Sequence, residues 1–221
     1  MDTQLRTFRK IVIDSLNPNN VYLLANSGFY RSTDGGLTFE STQVSPEEFS
    51  MQALAMDPSN PQVIYIGGYM YIDCVEVDDG EGGTVTECNE VTALLKSTDG
   101  GVTFAAPELL EFYSLRDITV DPNNSDNVYL AGFGYAGVSV MRSSDGGATF
   151  AAADEGLEFH GYNPTARELV IDPLLPTRLF ALTDVGLFMS RDGAASWTRV
   201  NNEVLDRADF TAHSLTIDPK K

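Results

Sequence analysis

Short apolar alternations that close on an aspartate recur along this chain and give its first subdivision. They read Ile11-Val12-Ile13-Asp14, Leu54-Ala55-Met56-Asp57, Ile118-Thr119-Val120-Asp121, Leu169-Val170-Ile171-Asp172 and Leu215-Thr216-Ile217-Asp218, with proline following all but the first. A period of two over so few residues predicts a half-buried strand. Behind each of the first four comes a β-branched or aromatic run with the composition of a buried strand. These runs are Val21-Tyr22-Leu23-Leu24, Val63-Ile64-Tyr65-Ile66, Val128-Tyr129-Leu130 and Leu179-Phe180-Ala181-Leu182. A third strand is predicted beyond them, as in Gly28-Phe29-Tyr30-Arg31 and Gly186-Leu187-Phe188-Met189.

Each third strand runs into a second repeat, S-x-D-G-[GA]-x-[TS]-[FW]. Its copies are Ser32–Phe39, Ser97–Phe104, Ser143–Phe150 and Ser190–Trp197, centred on Asp34, Asp99, Asp145 and Asp192. An aspartate so placed accepts bonds from the amides of its own tight turn, while the glycines permit positive φ. The aspartates are therefore read as structural, and so are those of the Asp-Pro pairs. Ala194 replaces the second glycine of the fourth copy, so that turn is expected to differ or to carry a small strain. A fourth strand starts near the aromatic residue. Each unit is thus strand A ending on aspartate, then B, C, the turn, and D. The four aspartates are 65, 46 and 47 residues apart, a period near 46 with an enlarged second unit. That period suits a four-stranded blade.

The predicted units are 8–43, 50–108 with an inserted hairpin at 71–91, 114–153 and 165–201. A surplus strand at 212–218 follows, and all belong to a single domain, 1–221. Up-and-down strand order puts the A–B and C–D turns on one face and the B–C and D–A loops on the other. Irregular sequence gathers on the second face, where loops on a rigid scaffold carry binding residues. It includes the long B–C insertion, Phe133–Gly137, and D–A loops with Glu111-Phe112-Tyr113 and Glu158–Asn163.

Folding the insertion about Gly80-Glu81-Gly82 pairs positions whose numbers sum to 162, so Cys74 faces Cys88, Glu76 faces Thr86 and Val77 faces Val85. A Cys74–Cys88 disulfide is expected, with two free thiols as the alternative. The acidic tip offers Asp78, Asp79 and Glu81 to calcium, but it lacks the alternating oxygen ligands of an EF-hand loop. A solvated acidic turn and no bound cofactor or metal are expected.

Five residues before each strand-A aspartate stand Arg9, Gln52, Arg116, Arg167 and His213. Strand A lines the centre of a radial array of blades, so these positions define a ring at the channel mouth on the variable face. Arginine suits carboxylates. The plainer expectation is that each arginine pairs with an adjacent acid, such as Asp117 or Glu168.

Charge narrows the partners. Fourteen basic against thirty-two acidic residues give a net charge of −18, which repels nucleic acid and anionic membranes. No run approaches the roughly 18 apolar residues of a spanning helix, and Met1–Arg6 lacks the apolar core of a signal peptide. A disulfide requires an oxidising compartment, so an extracellular or periplasmic location within a longer exported protein is expected.

The four turn motifs resemble the Asp-box (BNR) repeats of sialidases, sortilin-type receptors, xyloglucan-cleaving glycoside hydrolases and photosystem II assembly factors. The resemblance covers roughly residues 8 to 219 and implies an all-β fold, a β-propeller of four blades plus the first strand of a fifth. Such a chain is expected to be part of a larger propeller or half of an assembly. Because one blade type carries many functions, the resemblance implies no single activity.

Three functions fit. A non-catalytic binding or scaffold propeller would recognise a glycan or protein through Arg9, Gln52, Arg116, Arg167, His213, Tyr113, Tyr135, His160 and Tyr162. A glycoside hydrolase would need two carboxylates about 5 to 10 Å apart, drawn from Glu111, Asp154, Glu155 and Glu158. A sialidase would also be expected to show a Phe-Arg-Ile-Pro-type motif, whereas Phe8-Arg9-Lys10-Ile11 lacks the proline. An assembly factor or receptor would grip a protein partner. Binding without catalysis is the preferred reading, since His160 and His213 have no partner at metal-ligand spacing and no nucleophile–base pair can be built.

Overall fold

The structure, a computed structural model, describes residues 7–44, 49–78, 80, 83–200 and 212–218. It consists of four antiparallel sheets of four strands, each in sequential order. Blade one is β1 (Phe8–Ile13), β2 (Val21–Ala25), β3 (Gly28–Ser32) and β4 (Glu40–Thr42). Blade two is β5 (Ser50–Met56), β6 (Ile64–Asp78), β7 (Thr84–Ser97) and β8 (Glu108–Leu110). Blade three is β9 (Phe112–Val120), β10 (Val128–Gly134), β11 (Val140–Ser143) and β12 (Ala151–Ala152), with a single 3-10 turn at Tyr135–Gly137. Blade four is β13 (Ala166–Ile171), β14 (Leu179–Thr183), β15 (Gly186–Ser190) and β16 (Thr198–Arg199). Among the described residues no helix is long and apolar enough to cross a membrane.

A two-faced sheet must bury both faces, and the three cores lie between successive blades. Tyr22, Leu24 and Phe29 of blade one pack on Leu54, Ile64, Ile66 and Leu95 of blade two. Tyr65 and Leu94 meet Leu115, Ile118, Val120 and Leu130 of blade three. Tyr129, Ala131 and Val140 meet Leu169, Ile171, Phe188 and Trp197 of blade four. Each fully buried aliphatic or aromatic side chain contributes roughly 1.5–3 kcal/mol, so the interfaces hold the array together.

The four repeat turns share one hydrogen-bond scheme. Asp34, Asp99 and Asp145 accept the amides three and four residues on, and the hydroxyl of Thr38, Thr103 or Thr149. The preceding serine hydroxyl donates to the aspartate and accepts the amide of the second glycine position. In the fourth turn Asp192 keeps the amide and hydroxyl of Ser196 but not the amide of Ala195. Ala194 holds φ at 68°, in the left-handed region its glycine counterparts occupy, so the turn keeps its shape at the cost of strain. The aspartates of the A–B turns act likewise: Asp14, Asp57, Asp121 and Asp172 each accept amides of their own turn.

The inserted hairpin is a direct extension of β6 and β7, closed by a Cys74–Cys88 disulfide with Cα atoms 4.1 Å apart. Its outer part keeps the expected register, Glu76 opposite Thr86 and Val77 opposite Val85. Its inner part is shifted by one, with Ile72 opposite Asn89, because a bulge at Asp73–Cys74 absorbs a residue; Asp73 takes φ 52° there. Reduction removes a loop constraint on the order of 3 kcal/mol. Mass-resolved hydrogen exchange is expected to speed up in residues 71–91 and to stay unchanged in the blades. Uniform loosening of all four blades would contradict this. Of the acidic tip, Asp78 accepts the amide of Gly80 at 2.8 Å, while Asp79 and Glu81 lie outside the described residues.

Residues 212–218 carry no strand, in contrast to the surplus strand expected there. Their placement nevertheless repeats the spacing of the blades. Asp117 of β9 accepts the amide of Leu169 in the next inner strand at 3.1 Å, and Glu168 of β13 accepts the amide of Leu215 at 2.8 Å. Leu215 thus stands to blade four as Leu169 stands to blade three, at the first-strand position of a fifth unit.

Candidate functional site

Arg9, Gln52, Arg116 and Arg167 prove structurally equivalent for a reason the sequence does not display. Each is the unpaired residue of a β-bulge: the ladders skip from Phe8 to Lys10, Met51 to Ala53, Leu115 to Asp117 and Ala166 to Glu168. A bulge leaves one residue outside the ladder and re-aims its side chain. The four bulged strands β1, β5, β9 and β13 neighbour one another in that order, which sets the four positions along one arc at the loop end of the inner strands.

Their environments differ. Arg9 donates to Asn26 at 2.8 Å and Gln52 to Ser50 at 3.2 Å. Arg116 and Arg167 are exposed and make no hydrogen bond or ion pair among the described residues. The expected pairing with adjacent acids is corrected here. Asp117 is held by Lys10 at 2.9 Å and by the amide of Leu169, and Glu168 by Ser214 and the amide of Leu215. Both carboxylates tie inner strands together, so neither is available to the arginine beside it. His213 is exposed on the segment that Glu168 holds.

Aromatic rings group in three places on the same face. Tyr113 lies 4.1 Å from Tyr135, centroid to centroid, and stacks on Phe133 at 6.1 Å. Tyr69 and Tyr71 meet edge to face on the extended hairpin. In the loop before blade four, Phe159 bridges to Tyr162, contacts His160 at 4.2 Å and lies under the Arg199 guanidinium at 4.4 Å. Tyr162 donates to Asp184 at 3.3 Å, and the Asp184 charge pushes its hydroxyl pKa up. Tyr113, Tyr135, His160 and Tyr162 are all exposed, whereas Phe112, grouped with them by sequence, is buried in the core between blades two and three.

Of the acids considered for hydrolysis, Asp154 and Glu155 line one open hollow between blades three and four. Asp154 accepts the amide of Ser139 at 2.9 Å, a structural bond, and Glu111, Glu155 and Glu158 are exposed. At the opposite end, Asp99, Asp145 and Asp192 are pulled down to about 2, chiefly by the hydroxyls and then the amides of Thr103, Thr149 and Ser196. Carboxylates so strongly held as anions are poor general acids. Among the described residues no group of three or more His, Cys, Asp or Glu is placed to hold a metal ion.

No family model matches the chain, and no curated protein matches it in sequence. Solved structures do match in shape. The GH74 xyloglucanase from Xanthomonas campestris superposes over 90% of this chain and 31% of its own, with TM-score 0.65 and 16% identity. YCF48 bound to D1 peptide gives 88% and 53%, TM-score 0.56 and 15% identity. The intramolecular trans-sialidase from Ruminococcus gnavus gives 90% and 71%, TM-score 0.55 and 13% identity. The chain has the β-propeller fold. At these identities the likeness is one of fold, and this propeller spans about a third of the xyloglucanase chain and about half of the YCF48 chain.

Proposed function

We propose that this chain is an Asp-box propeller module of an extracytoplasmic protein, and that it binds a glycan or a protein on the face opposite the repeat turns. The observation that carries this reading is the pair of arginines, Arg116 and Arg167, exposed at equivalent bulges without an acceptor among the described residues. In a chain of net charge −18, two such cations form a local site for an anion. Tyr113, on the same strand as Arg116, and Tyr135 add flat faces that stack on a sugar ring or fill a partner's pocket. The disulfide supports an oxidising compartment.

The repeat turns support Asp-box kinship, because aspartate, serine and threonine play one role in every copy. Recognition is favoured over hydrolysis because Asp154 is engaged and the repeat-turn aspartates are held as anions. The test is to screen the full chain against arrays of acidic glycans and carboxylate-rich peptides, and in parallel against xyloglucan and sialoside substrates. Binding to one array without turnover is expected. Hydrolysis of either substrate, or binding that survives charge reversal at both Arg116 and Arg167, would overturn the reading.

A further inference from the structure

The three interfaces between described blades place the same residue types against one another, with the hydrogen bonds made to differing extents. The following blade supplies three residues of its inner strand, the aromatic residue of its repeat turn and a glycine carbonyl in that turn. The preceding blade supplies a tyrosine from its second strand and a lysine or arginine from the end of its third. Tyr65 and Lys96 of blade two donate to the carbonyl of Gly146 in blade three at 2.9 and 2.7 Å. Arg142 of blade three donates to the carbonyl of Gly193 in blade four at 3.1 Å, and the Tyr129 hydroxyl stands beside the same glycine. Tyr22 of blade one places its hydroxyl beside Gly100 of blade two, with Arg31 at the matching third-strand position, although neither donates to that glycine's carbonyl among the described residues.

Blade one carries the complete receiving half, and among the described residues nothing is seated on it. In blade four the receiving residues Ala166, Leu169, Ile171 and Trp197 are 0, 3, 8 and 4% exposed. Their counterparts in blade one, Phe8, Ile11, Ile13 and Phe39, are 63, 60, 55 and 37% exposed. An open hollow of about 410 Å³ lies between them, lined by Phe8, Ile11, Leu23 and Phe39 together with Arg9 and Lys10. Where blades three and four meet, the same position is filled by Tyr129, Ala131, Val140 and Leu157. The repeat turn of blade one is fully formed, and the carbonyl of Gly35 accepts no side-chain donor among the described residues.

Blade four breaks the donating pattern at both places. Phe180 stands where the other blades have tyrosine, and Met189 where they have arginine or lysine. A second copy of the chain therefore offers no donor to Gly35 from these two positions of its last blade. The inner-strand place beside that blade is also taken, by Leu215 on Glu168.

We infer that the outer face of blade one is a docking surface for a further propeller blade, one with a tyrosine on its second strand and a lysine or arginine ending its third. Blade four of a second copy is not that partner. The warrant is continuity: three observed interfaces are carried one step back onto a face that repeats all their acceptor features.

The test adds such a blade to the full chain. A second copy of residues 112–165, which is blade three with its following loop, is fused ahead of Phe8, because Phe8 corresponds to Ala166. A control fusion carries Tyr129→Phe and Arg142→Met in the added copy alone, which makes it resemble blade four. Amide exchange in residues 8–13 and 37–39 is expected to slow by roughly tenfold or more in the first fusion, and by clearly less in the control. Equal protection in both fusions would overturn the inference. So would unchanged exchange on blade one, whether or not the added copy itself becomes protected. In the unfused chain, Phe39→Ser is expected to leave the melting temperature nearly unchanged and Trp197→Ser to lower it. A large loss from Phe39→Ser would show that the face already has an occupant.

Discussion

Replacing Gly101 with alanine should cost about 2–5 kcal/mol of stability, the largest effect expected from adding one methyl group to a repeat turn. Two terms add. Gly101 holds φ at 77°, where an L side chain costs about 1–2 kcal/mol. A Cβ there would also stand 2.8 Å from Cε1 and 3.0 Å from Cζ of the buried Phe29 ring, and relieving that overlap costs about 1–3 kcal/mol. Gly36 isolates the first term: its φ is 87°, but a Cβ would meet nothing nearer than Phe39 at 3.8 Å, so Gly36→Ala should cost about 1 kcal/mol. Ala194 supplies the reverse experiment. Its methyl group is already accommodated in the core beside Tyr129 and Trp197, so Ala194→Gly relieves strain but gives up buried surface of about 0.8 kcal/mol. The two nearly cancel, and a change within about 0.5 kcal/mol is expected. Urea unfolding of the three variants checks the order. A Gly101→Ala loss no larger than that of Gly36→Ala would mean that the blade-one ring yields freely and that packing does not select glycine there.

The repeats made the fold legible because both signals are local. The serine, aspartate and threonine of each turn satisfy one another within eight residues, and the alternation before each inner-strand aspartate is read directly as a strand. The hairpin register was legible beyond the cysteines and wrong before them. A bulge such as the one at Asp73 is a backbone event that leaves no mark in composition. The same limit applies to the candidate site. Sequence numbering aligned Arg9, Gln52, Arg116 and Arg167, but only the ladders show that each is extruded from its strand. The pairing expected for the arginines failed because Asp117 and Glu168 serve a purpose set by the neighbouring blade, namely holding the amides of Leu169 and Leu215. Phe112 was misplaced for a related reason: it begins β9 on the core side, one residue from Tyr113, which points outward, as strand alternation demands. Phe180 and Met189 were visible as departures from a repeated tyrosine and a repeated cation. Their meaning required seeing what Tyr65, Lys96 and Arg142 touch.

Arg116→Ala combined with Tyr135→Ala is expected to weaken ligand binding by roughly a hundredfold to a thousandfold, with thermal stability within a few degrees of the parent. An exposed guanidinium and a half-exposed ring each contribute about 1.5–2 kcal/mol when they anchor a partner. Neither belongs to the core: Arg116 bonds no described residue, and Tyr135 is exposed beside the equally exposed Tyr113. Asp145→Ala should do the opposite. The carboxylate accepts the amides of Ala148 and Thr149 and the hydroxyls of Thr149 and Ser143, so its removal strips four donors from one turn. That turn also presents the Gly146 carbonyl to Tyr65 and Lys96, so the interface between blades two and three should loosen with it. A clear drop in melting temperature is expected, because the donors that the carboxylate satisfied lose a charged acceptor, although exposure to water softens the loss. Affinity per folded molecule should be preserved, because the turn lies at the end of the blade opposite Arg116 and the Tyr113–Tyr135 pair. Calorimetric binding below the melting transition of each variant separates the two effects. Unchanged affinity in the double variant, or lost affinity in Asp145→Ala with its melting temperature intact, would move the binding site to the repeat-turn end of the propeller.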